Sequence, residues 1–442
     1  MVTKLILRFF FFPIEAMCSI VPERMNIWVF GSWSGRNYND NTKHLFNYIL
    51  DHEKGIRPIW LTKSSSIYDL LKSQGKECYY FYSIKGIYYS LASRVVCVSD
   101  SWVDLPLTAF LPQKRKLIVQ LWHGTLLRKV DFSIGSLFKK TIRYIFLLYL
   151  GRDYDLVTSA TYKNIEIFKN LFNVPREKIK IIGQPRNDII FSKDKESWTS
   201  SVIDSSLVRF NKKDSYEESH EYALKRSSKY SKIDFVILLS LLLEIIKPRQ
   251  TKRLRKLYRR VDKIFLYMPT WRDNTFNLLG KEAKFDQKKI SKFLEDNKSI
   301  LLIKHHYYDY DKYQNLPTDN RLIFINKVED IYPMISWADV LLTDYSSIYF
   351  DFLLLDRPII FTPFDMQTYG SQKGFYYDYD AVTPGPKGKN WDEVMEHMAR
   401  LLKGEDKYKN RRRKMNKMFN HYNDQESSRR AYEEIKGRRL ND

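Results

Sequence analysis

Five groups of polar and basic residues stand directly after short apolar runs in this 442-residue chain. The apolar run 117–122 is interrupted only by Gln120 and ends abruptly at His123, Gly124 and Thr125. A single histidine in such a place is usually a loop residue, so the question is whether other runs end in similar chemistry. Four further groups do so: Arg186 and Asp188; Pro269, Thr270 and Arg272; Lys304, His305 and His306; and Thr343, Asp344, Ser346 and Ser347.

The residue types in these groups indicate phosphate binding. Ser346 and Ser347 stand where an apolar run changes to a helical pattern. Hydroxyls and free backbone N–H groups at a helix N-terminus bind phosphate, helped by the helix dipole. Lys304, Arg186 and Arg272 would supply positive charge, and arginine suits bidentate contacts with phosphate.

Each group taken alone also has an ordinary structural explanation. Arg186 and Asp188 can form an ion pair within a loop. Asp344 and Ser346 can begin a helix, which is a common use of these residues. Five such groups at strand ends together indicate function much more strongly than any one of them.

The histidines and carboxylates of these groups indicate whether the site could transfer protons or bind a metal ion. Within the five groups, His123 and His306 are the candidates for proton transfer near neutral pH. His305 and His306 are adjacent on or just after a strand, where neighbouring side chains point to opposite faces, so they are a poor metal pair. No Asp-x-Asp pair stands at a strand end, and no glycine-rich Walker sequence is present. The sequence therefore predicts a metal-independent phosphate site without a cofactor.

The apolar runs that precede these groups predict parallel strands. They begin near residues 26, 56, 94, 116, 154 and 178, and again near 263, 299, 339 and 357, with helical stretches between them. One such helix, 41–52, would take Asn41 as its N-cap. The alternation is typical of α/β domains, in which ligands bind at the carboxyl ends of the strands. We therefore expect two α/β halves, 25–191 and 262–405, with the five groups at their strand ends.

The composition favours an anionic partner. The chain has 74 basic and 52 acidic residues, which gives a formal net charge of +22. Nucleic acid, an anionic membrane surface and a phosphate-rich substrate all fit this charge. Basic residues cluster in 247–260 and 406–440 without the interleaved aromatics of an RNA-binding signature, so we expect no nucleic-acid partner. The three cysteines are widely spaced, which favours a reducing compartment.

Three segments outside the two halves have patterns of their own. Residues 1–24 are apolar but lack a run long enough to span a bilayer, so an interfacial membrane helix and a helix packed on the protein are both compatible. Residues 192–261 combine an apolar with a basic stretch, which fits a membrane-contacting helical insertion or a hairpin packed on the second half. Residues 406–442 predict one basic C-terminal helix.

Six motifs resemble those of the CDP-glycerol glycerophosphotransferases, the teichoic-acid primases and polymerases. They are WHGT, GQPRND, YMPTWRD, IKHH, TDYSSIYFDF and KGFYYDYDAVTPGP, which stand in the order and rough spacing of that family. The earlier NYNDNTKHLF resembles the family's N-terminal signature. The resemblance covers about residues 25 to 405. It implies an α/β fold of the GT-B type, with two Rossmann-like domains facing a central cleft and, in this chain, a helical insertion between them.

The resemblance also implies an activity and a location. A polyol phosphate would move from CDP-glycerol or CDP-ribitol to a hydroxyl of a lipid-linked acceptor, releasing CMP, in synthesis of a teichoic acid or a teichoic-acid-like capsule. The protein would be peripheral, on the cytoplasmic face of the cell membrane. By the matched motifs, His123 would be the general base, and His306 with Lys304 would stabilise charge on the pyrophosphate. The donor phosphates would be bound by Arg186, Thr270, Ser346 and Ser347, with Asp344 orienting them.

Departures from the family pattern and one rival activity accompany this resemblance. The family usually has Lys-x-His-Pro where this chain has KHHY at 304–307, so His305 is an alternative to His306. Gln184 replaces a tyrosine, and 192–261 is longer than the family spacing. A GT-B glycosyltransferase that uses a nucleotide sugar would share the fold. Release of CMP rather than of a nucleoside diphosphate would separate the two activities.

Overall fold

The structure, a computed structural model, divides the chain into two compact units. Unit 1 comprises Met1–Thr125, Val130–Phe191 and His421–Asp442; unit 2 comprises Leu126–Lys129 and Ser192–Asn420. The described residues are 20–101, 104–105, 116–130, 154–191, 261–272, 276–305, 321–325 and 330–441, without the side chains of 439–441. Most of the predicted interfacial segment 1–24, and all of 192–261 except Val261, lie outside this set. Their predicted roles therefore stay predictions.

Unit 1 contains a parallel sheet of seven strands. These are β1 (Arg24–Phe30), β2 (Arg57–Thr62), β3 (Cys78–Tyr80), β4 (Ser93–Val98), β5 (Leu117–Gln120), β6 (Leu156–Ser159) and β7 (Ile179–Ile181). Their spatial order is β3-β2-β1-β4-β5-β6-β7, and each neighbouring pair is parallel. Every residue of β4, β5 and β6 is buried. Burial on both faces explains why these strands are continuous apolar runs rather than alternating ones.

The helices of unit 1 follow its strands, and serine side chains cap two of them. In chain order they are α1 (Asp40–His52), α2 (Ser65–Ser73), α3 (Ile84–Ala92), α4 (Ile165–Phe172) and the short α5 (Asp188–Phe191). The Ser64 and Ser83 hydroxyls accept backbone N–H groups at the starts of α2 and α3. Asn39 is the N-cap of α1. The prediction of Asn41 for that role is wrong, because Asn41 lies within the helix.

Unit 2 contains a second parallel sheet, with five strands. These are β8 (Lys263–Met268), β9 (Ser299–Ile303), β10 (Leu322–Phe324), β11 (Val340–Thr343) and β12 (Ile359–Phe361), in spatial order β10-β9-β8-β11-β12. Its helices are α6 (Gln287–Asp296), α7 (Tyr332–Ile335), α8 (Ile348–Phe352), α9 (Met366–Lys373), α10 (Tyr379–Val382), α11 (Trp391–Leu402) and α12 (Lys409–Phe419). The buried face of α11 packs with the strands in one apolar core that includes Trp391, Val394 and Met398.

The last part of the chain holds two helices where the sequence predicted one. Within 406–442, α12 belongs to unit 2, whereas α13 (Ser427–Asn441) belongs to unit 1. The amides of Ser427 and Ser428 at the start of α13 donate to the Asp188 carboxylate, at 2.9 and 2.7 Å. This part of the chain therefore contributes to both units. Nowhere in the described ranges is a helix long and apolar enough to cross a membrane.

Both strand orders contain a topological switch point. In unit 1 it lies between β1 and β4, and in unit 2 between β8 and β11, because successive connections run in opposite directions from the first strand. Ligands of doubly wound sheets bind beyond the carboxyl ends of strands at such points. The predicted α/β class with parallel sheets is confirmed, and the topology indicates the loops after β1, β4, β8 and β11 as places to look for chemistry.

Replacing Gly183 by alanine should destabilise unit 1. Gly183 follows β7 with φ +86°, and a Cβ atom there would lie 2.4 Å from the Ser427 hydroxyl oxygen of α13. Gly75 has φ +69° and open space around it, so Gly75→Ala reports backbone strain alone, about 1 kcal/mol. We expect Gly183→Ala to lower the free energy of unfolding by more than Gly75→Ala in urea titrations. Equal losses would show that α13 moves aside without penalty.

Candidate active site

His123 lies beyond the carboxyl end of β5 in unit 1. Its Nδ1 is 3.1 Å from the carbonyl oxygen of Ser99, which follows β4. A carbonyl can only accept a hydrogen bond, so Nδ1 carries a proton, and in the neutral imidazole the lone pair is then on Nε2. The ring lies near two indoles, with centroids 4.0 Å from Trp122 and 5.3 Å from Trp33. When the ring is neutral, this hydrogen bond selects the tautomer in which Nε2 is the nitrogen that can take a proton.

Arg186 holds the backbone at His123 rather than presenting an open cation. Its guanidinium donates to the Asp40 carboxylate at 2.8 Å and to the His123 carbonyl oxygen at 2.8 Å. Arg186 and Asp40 side chains are only 4% and 8% exposed. Arg186 therefore forms a buried ion pair with a carboxylate that the sequence did not single out, and its predicted phosphate contact stays a prediction.

Asn41 and Gln184 extend this support to the preceding residues. The Asn41 amide nitrogen donates to the carbonyls of Leu121 and Trp122, at 3.2 and 2.7 Å, and to the Gln184 side-chain oxygen at 2.9 Å. The Asn41 oxygen accepts the Arg186 backbone amide at 3.1 Å. Gln184, which departs from the family's tyrosine, thus belongs to the network that supports the strand end.

Asp188 has a structural partner in the last helix. Its two carboxylate oxygens accept the backbone amides of Ser427 and Ser428. Burial raises the pKa of Asp188, against which the hydrogen bonds from these two serines act. Both Asp188 oxygens thus bind the start of α13, and the predicted substrate contact stays a prediction.

Asp104 is a buried carboxylate that the sequence analysis missed. One oxygen accepts the Ser34 amide at 2.6 Å, and the other accepts the amides of Ser99 and Asp100 at 3.0 and 2.9 Å. The residue is fully buried. Burial raises the pKa of Asp104 to about 7, with a smaller contribution from the charge of Asp100. No local sequence motif predicts this role, because the partners of Asp104 are backbone amides of two loops, one of which is 70 residues away.

Arg272 in unit 2 is enclosed by carboxylates and aromatic rings. Its guanidinium donates to Asp344 at 2.7 Å and to Asp365 at 2.7 and 2.9 Å. The rings of Tyr345 and Tyr369 lie 5.0 and 4.8 Å from its Cζ. The side chain is 1% exposed. Arg272 thus joins the loops after β8, β11 and β12 through buried ion pairs, and its predicted contact with phosphate stays a prediction.

Hydroxyls at the same edge of unit 2 have different surroundings. Thr343 donates to the Met268 carbonyl at 2.6 Å and so ties the ends of β8 and β11 together. The buried Thr270 hydroxyl has no hydrogen-bond partner among the residues described. Ser346 and Ser347 are half-buried just before α8, and the Ser346 oxygen lies 3.5 Å from the Ile348 amide. Thr270, Ser346 and Ser347 therefore offer hydroxyls for a ligand.

The remaining predicted residues differ in how far the structure describes them. Lys304 is half-buried after β9, where its amide donates to the Tyr267 carbonyl at 2.9 Å. His305 is buried, with its ring 6.2 Å from that of Phe324. His306 lies outside the described residues, so its predicted catalytic role stays a prediction. Three further predicted residues, all buried, are Gly124, Thr125 and Pro269.

The described residues contain no cluster of side chains that could bind a metal ion. No group of three or more histidine, cysteine, aspartate or glutamate side chains there is arranged to hold an ion. The metal independence of the site stays a prediction, as does the absence of a cofactor.

Removing the Arg272 guanidinium should strongly destabilise unit 2. In Arg272→Met, Asp344 and Asp365 would face each other in a buried site without a counter-charge, which we expect to lower the free energy of unfolding by about 3–5 kcal/mol. Arg57→Met is the control, because the Arg57–Glu77 pair is partly exposed, at 42% and 24%. The control should lose less in urea titrations. A loss for Arg272→Met no larger than that of the control would contradict the assignment.

Asp104 should make the stability of unit 1 depend on pH. Its pKa, about 7, is well above the ordinary 3.8. Between these values the folded state holds a proton that the unfolded state has released, so the stability contributed by this group falls as pH rises from about 4 to about 7. Asp104→Asn should remove this dependence, which amounts to about 1.4 kcal/mol per pH unit at most. Urea titrations of both proteins at pH 4.5–8 measure it, and parallel stability curves would contradict it.

Comparison with known proteins gives the family. The family model described as CDP-glycerol:poly(glycerophosphate) glycerophosphotransferase matches residues 14–213 and 247–437. A teichoic acid glycerol-phosphate transferase of Staphylococcus aureus (strain NCTC 8325 / PS 47) is 26% identical over 403 residues, which cover 87% of this chain and 86% of the relative. A teichoic acid poly(glycerol phosphate) polymerase of Bacillus spizizenii (strain ATCC 23059 / NRRL B-14472 / W23) is 26% identical over 389 residues, covering 85% and 84%.

A solved structure shows that the fold is shared. A histidine-to-asparagine variant of the wall teichoic acid polymerase TagF, soaked with CDPG, superposes with a TM-score of 0.69 at 21% identity. The match covers 95% of this chain and 90% of that one. Since the family model matches well over half of its length, the chain belongs to the CDP-glycerol:poly(glycerophosphate) glycerophosphotransferase family.

Proposed function

We propose that this protein transfers glycerol phosphate from CDP-glycerol to a hydroxyl of a lipid-linked acceptor and releases CMP. The product would belong to a teichoic acid or a teichoic-acid-like capsule. Family membership and the glycerol-phosphate activities named for its relatives support this reaction, and they favour it over transfer from a nucleotide sugar. CDP-ribitol stays the alternative donor.

The hydrogen bond between His123 and Ser99 carries the proposed mechanism. With Nδ1 donating to the carbonyl, Nε2 accepts the proton of the acceptor hydroxyl as that oxygen attacks the glycerol-bearing phosphorus. The bond from this phosphorus to the oxygen bridging to the cytidylyl phosphorus breaks, and that oxygen leaves with CMP. One proton and one phosphoryl group are transferred, and the redox state of every atom is unchanged.

Binding of the donor is assigned to residues of unit 2. The hydroxyls of Thr270, Ser346 and Ser347 would donate to the phosphates, and Lys304, together with His306, would stabilise the charge that develops on the leaving group. Arg272 and Asp344 act on these groups indirectly, because they are joined in a buried ion pair. The contribution of the protein is then mainly positioning and electrostatics.

The setting of the reaction rests on the nature of its acceptor and on surface charge. A lipid-linked acceptor requires access to a membrane, and the net charge of +22 favours an anionic membrane surface. We therefore place the protein peripherally on the cytoplasmic face of the cell membrane, where CDP-activated donors are available. The GT-B arrangement of the units and the helical nature of 192–261 belong to this proposal as well.

Loss of the His123 side chain should abolish most CMP release. Purified protein is incubated with CDP-glycerol and a glycerophosphate-terminated lipid acceptor, with CDP-ribitol in a parallel reaction. A general base contributes about 10²–10⁴-fold, so His123→Ala should lose activity within that range. His52→Ala is the matched control, because His52 is an exposed histidine in the last turn of α1 and should release CMP like wild type.

Two outcomes of this assay would count against the proposal. Release of CMP by His123→Ala at the wild-type rate would remove His123 from the base role. A folded wild-type protein that releases CMP from neither donor, yet releases a nucleoside diphosphate from a nucleotide sugar, would replace the reaction by glycosyl transfer.

A further inference from the structure

The loop after β1 in unit 1 has an unusual backbone. Trp33, Ser34 and Gly35 all have positive φ, at 48°, 55° and 70°. The left-handed conformation is unfavourable for residues with a Cβ atom, and it persists only where surrounding contacts enforce it. The Trp33 ring is one of the two indoles near His123. Something must therefore hold this loop in the shape that brings Trp33 to the histidine.

The Asp104 carboxylate stabilises this loop by hydrogen bonds, and it also binds the loop after β4. Its Oδ1 accepts the Ser34 amide at 2.6 Å, whereas its Oδ2 accepts the amides of Ser99 and Asp100. The Ser99 residue whose amide it binds is the one whose carbonyl accepts His123 Nδ1. One carboxylate thus joins the two loops that touch the His123 ring.

Further contacts restrict the movement of the loops after β1 and β4 relative to each other. The Ser99 hydroxyl donates to the Ser32 hydroxyl at 3.2 Å, and the latter donates to the Asn39 side chain at 2.9 Å. A Cβ atom on Gly31 would lie 2.8 Å from the Asp104 carbonyl oxygen, so the backbones of the two segments are in direct contact. The carboxylate is fully buried, where each accepted N–H counts for more than it would in water.

We propose that Asp104 is a positioning residue for the transfer reaction, which fixes the Ser99 carbonyl and the Trp33 ring against His123. This role rests on the proposed function of His123 as the base. Asp104 acts through two loops and does not touch the substrate. It determines whether Nδ1 keeps its carbonyl partner, and with it whether Nε2 is free and correctly aimed.

An asparagine at 104 tests the proposal because it keeps size and removes one acceptor. Its NH₂ group would face a backbone N–H, so one of the two loops would lose its hold. Asp155→Asn is the control: the Asp155 carboxylate accepts the Ile118 amide at 2.8 Å, near the start of β5 and five residues before His123, and it binds neither the loop after β1 nor the loop after β4 in the contacts described. Asp104→Asn should lose more stability in urea titrations than Asp155→Asn, because Asp104 is fully buried and the Asp155 side chain is 35% exposed, so the two variants are compared under conditions in which both are fully folded.

The kinetic readout separates positioning from general destabilisation. We expect Asp104→Asn to lower kcat by about 10²-fold, as small misplacements of a catalytic group do, with KM for CDP-glycerol within about twofold of wild type. Asp155→Asn should leave both constants within about twofold. Equal effects of the two variants on kcat, or an effect of Asp104→Asn confined to KM, would overturn the proposal.

A spectroscopic readout does not depend on catalysis. In protein labelled with ¹⁵N-histidine, the His123 ring signals are assigned by their loss in His123→Ala, and they report which nitrogen carries the proton. Asp104→Asn should change these signals and Asp155→Asn should not. If the wild type releases no CMP but the signals respond in this way, the proposed reaction falls and the positioning role stands. Unchanged His123 signals in Asp104→Asn would overturn the role.

A second variant covers the case in which Asp104→Asn does not fold. Trp33 is half-buried, so Trp33→Ala should fold while removing the ring that the β1 loop presents to His123. It should reproduce the fall in kcat and the change in His123 signals. A Trp33→Ala protein with wild-type kcat and wild-type His123 signals would show that this loop does not position the histidine.

Discussion

Buried ion pairs between arginine and aspartate fix the loops at the strand ends where the candidate site residues lie. Parallel strands deliver side chains to one edge of a sheet, but beyond the last ladder hydrogen bond the backbone needs other partners. In unit 1 the Arg186–Asp40 pair supplies one of them, and in unit 2 Arg272 serves two carboxylates at once. Such pairs are weak sources of net stability but strongly resist the loss of one partner. They therefore fix loop geometry more than they stabilise the fold.

This use of the arginines changes the electrostatics of the candidate site. A guanidinium that is neutralised by buried carboxylates cannot also neutralise a pyrophosphate. The single guanidinium of Arg272 is shared between the carboxyl groups of Asp344 and Asp365. In the proposed reaction, phosphate recognition would then depend on hydroxyls, backbone amides and Lys304. Such groups stabilise charge best when they are oriented before the substrate binds. Rigid loops are therefore important for this role.

The sequence predicted the framework well because its signals are local. Continuous apolar runs such as β4 and β5 indicated buried parallel strands, and the abrupt change at His123 marked a strand end that the structure confirms. The sequence could not predict the hydrogen-bond partners of these groups, because the fold determines them. Arg186 meets Asp40 across 146 positions, and Asp104 meets Ser34 across 70. Residue type showed which side chains carry charge, and only the structure showed which charges are already paired.

The turn that bears His123 shows how these constraints combine. Trp122 and Gly124 on either side of the histidine both have positive φ, so the chain leaves the sheet through a strained conformation. The three carbonyls of 121–123 accept side-chain donors in place of a neighbouring strand: Thr158 and Asn41 on Leu121, Asn41 on Trp122, and Arg186 on His123. These donors fix the backbone at His123 and the Ser99 carbonyl fixes its ring through Nδ1, so the proposed role as a base falls to Nε2.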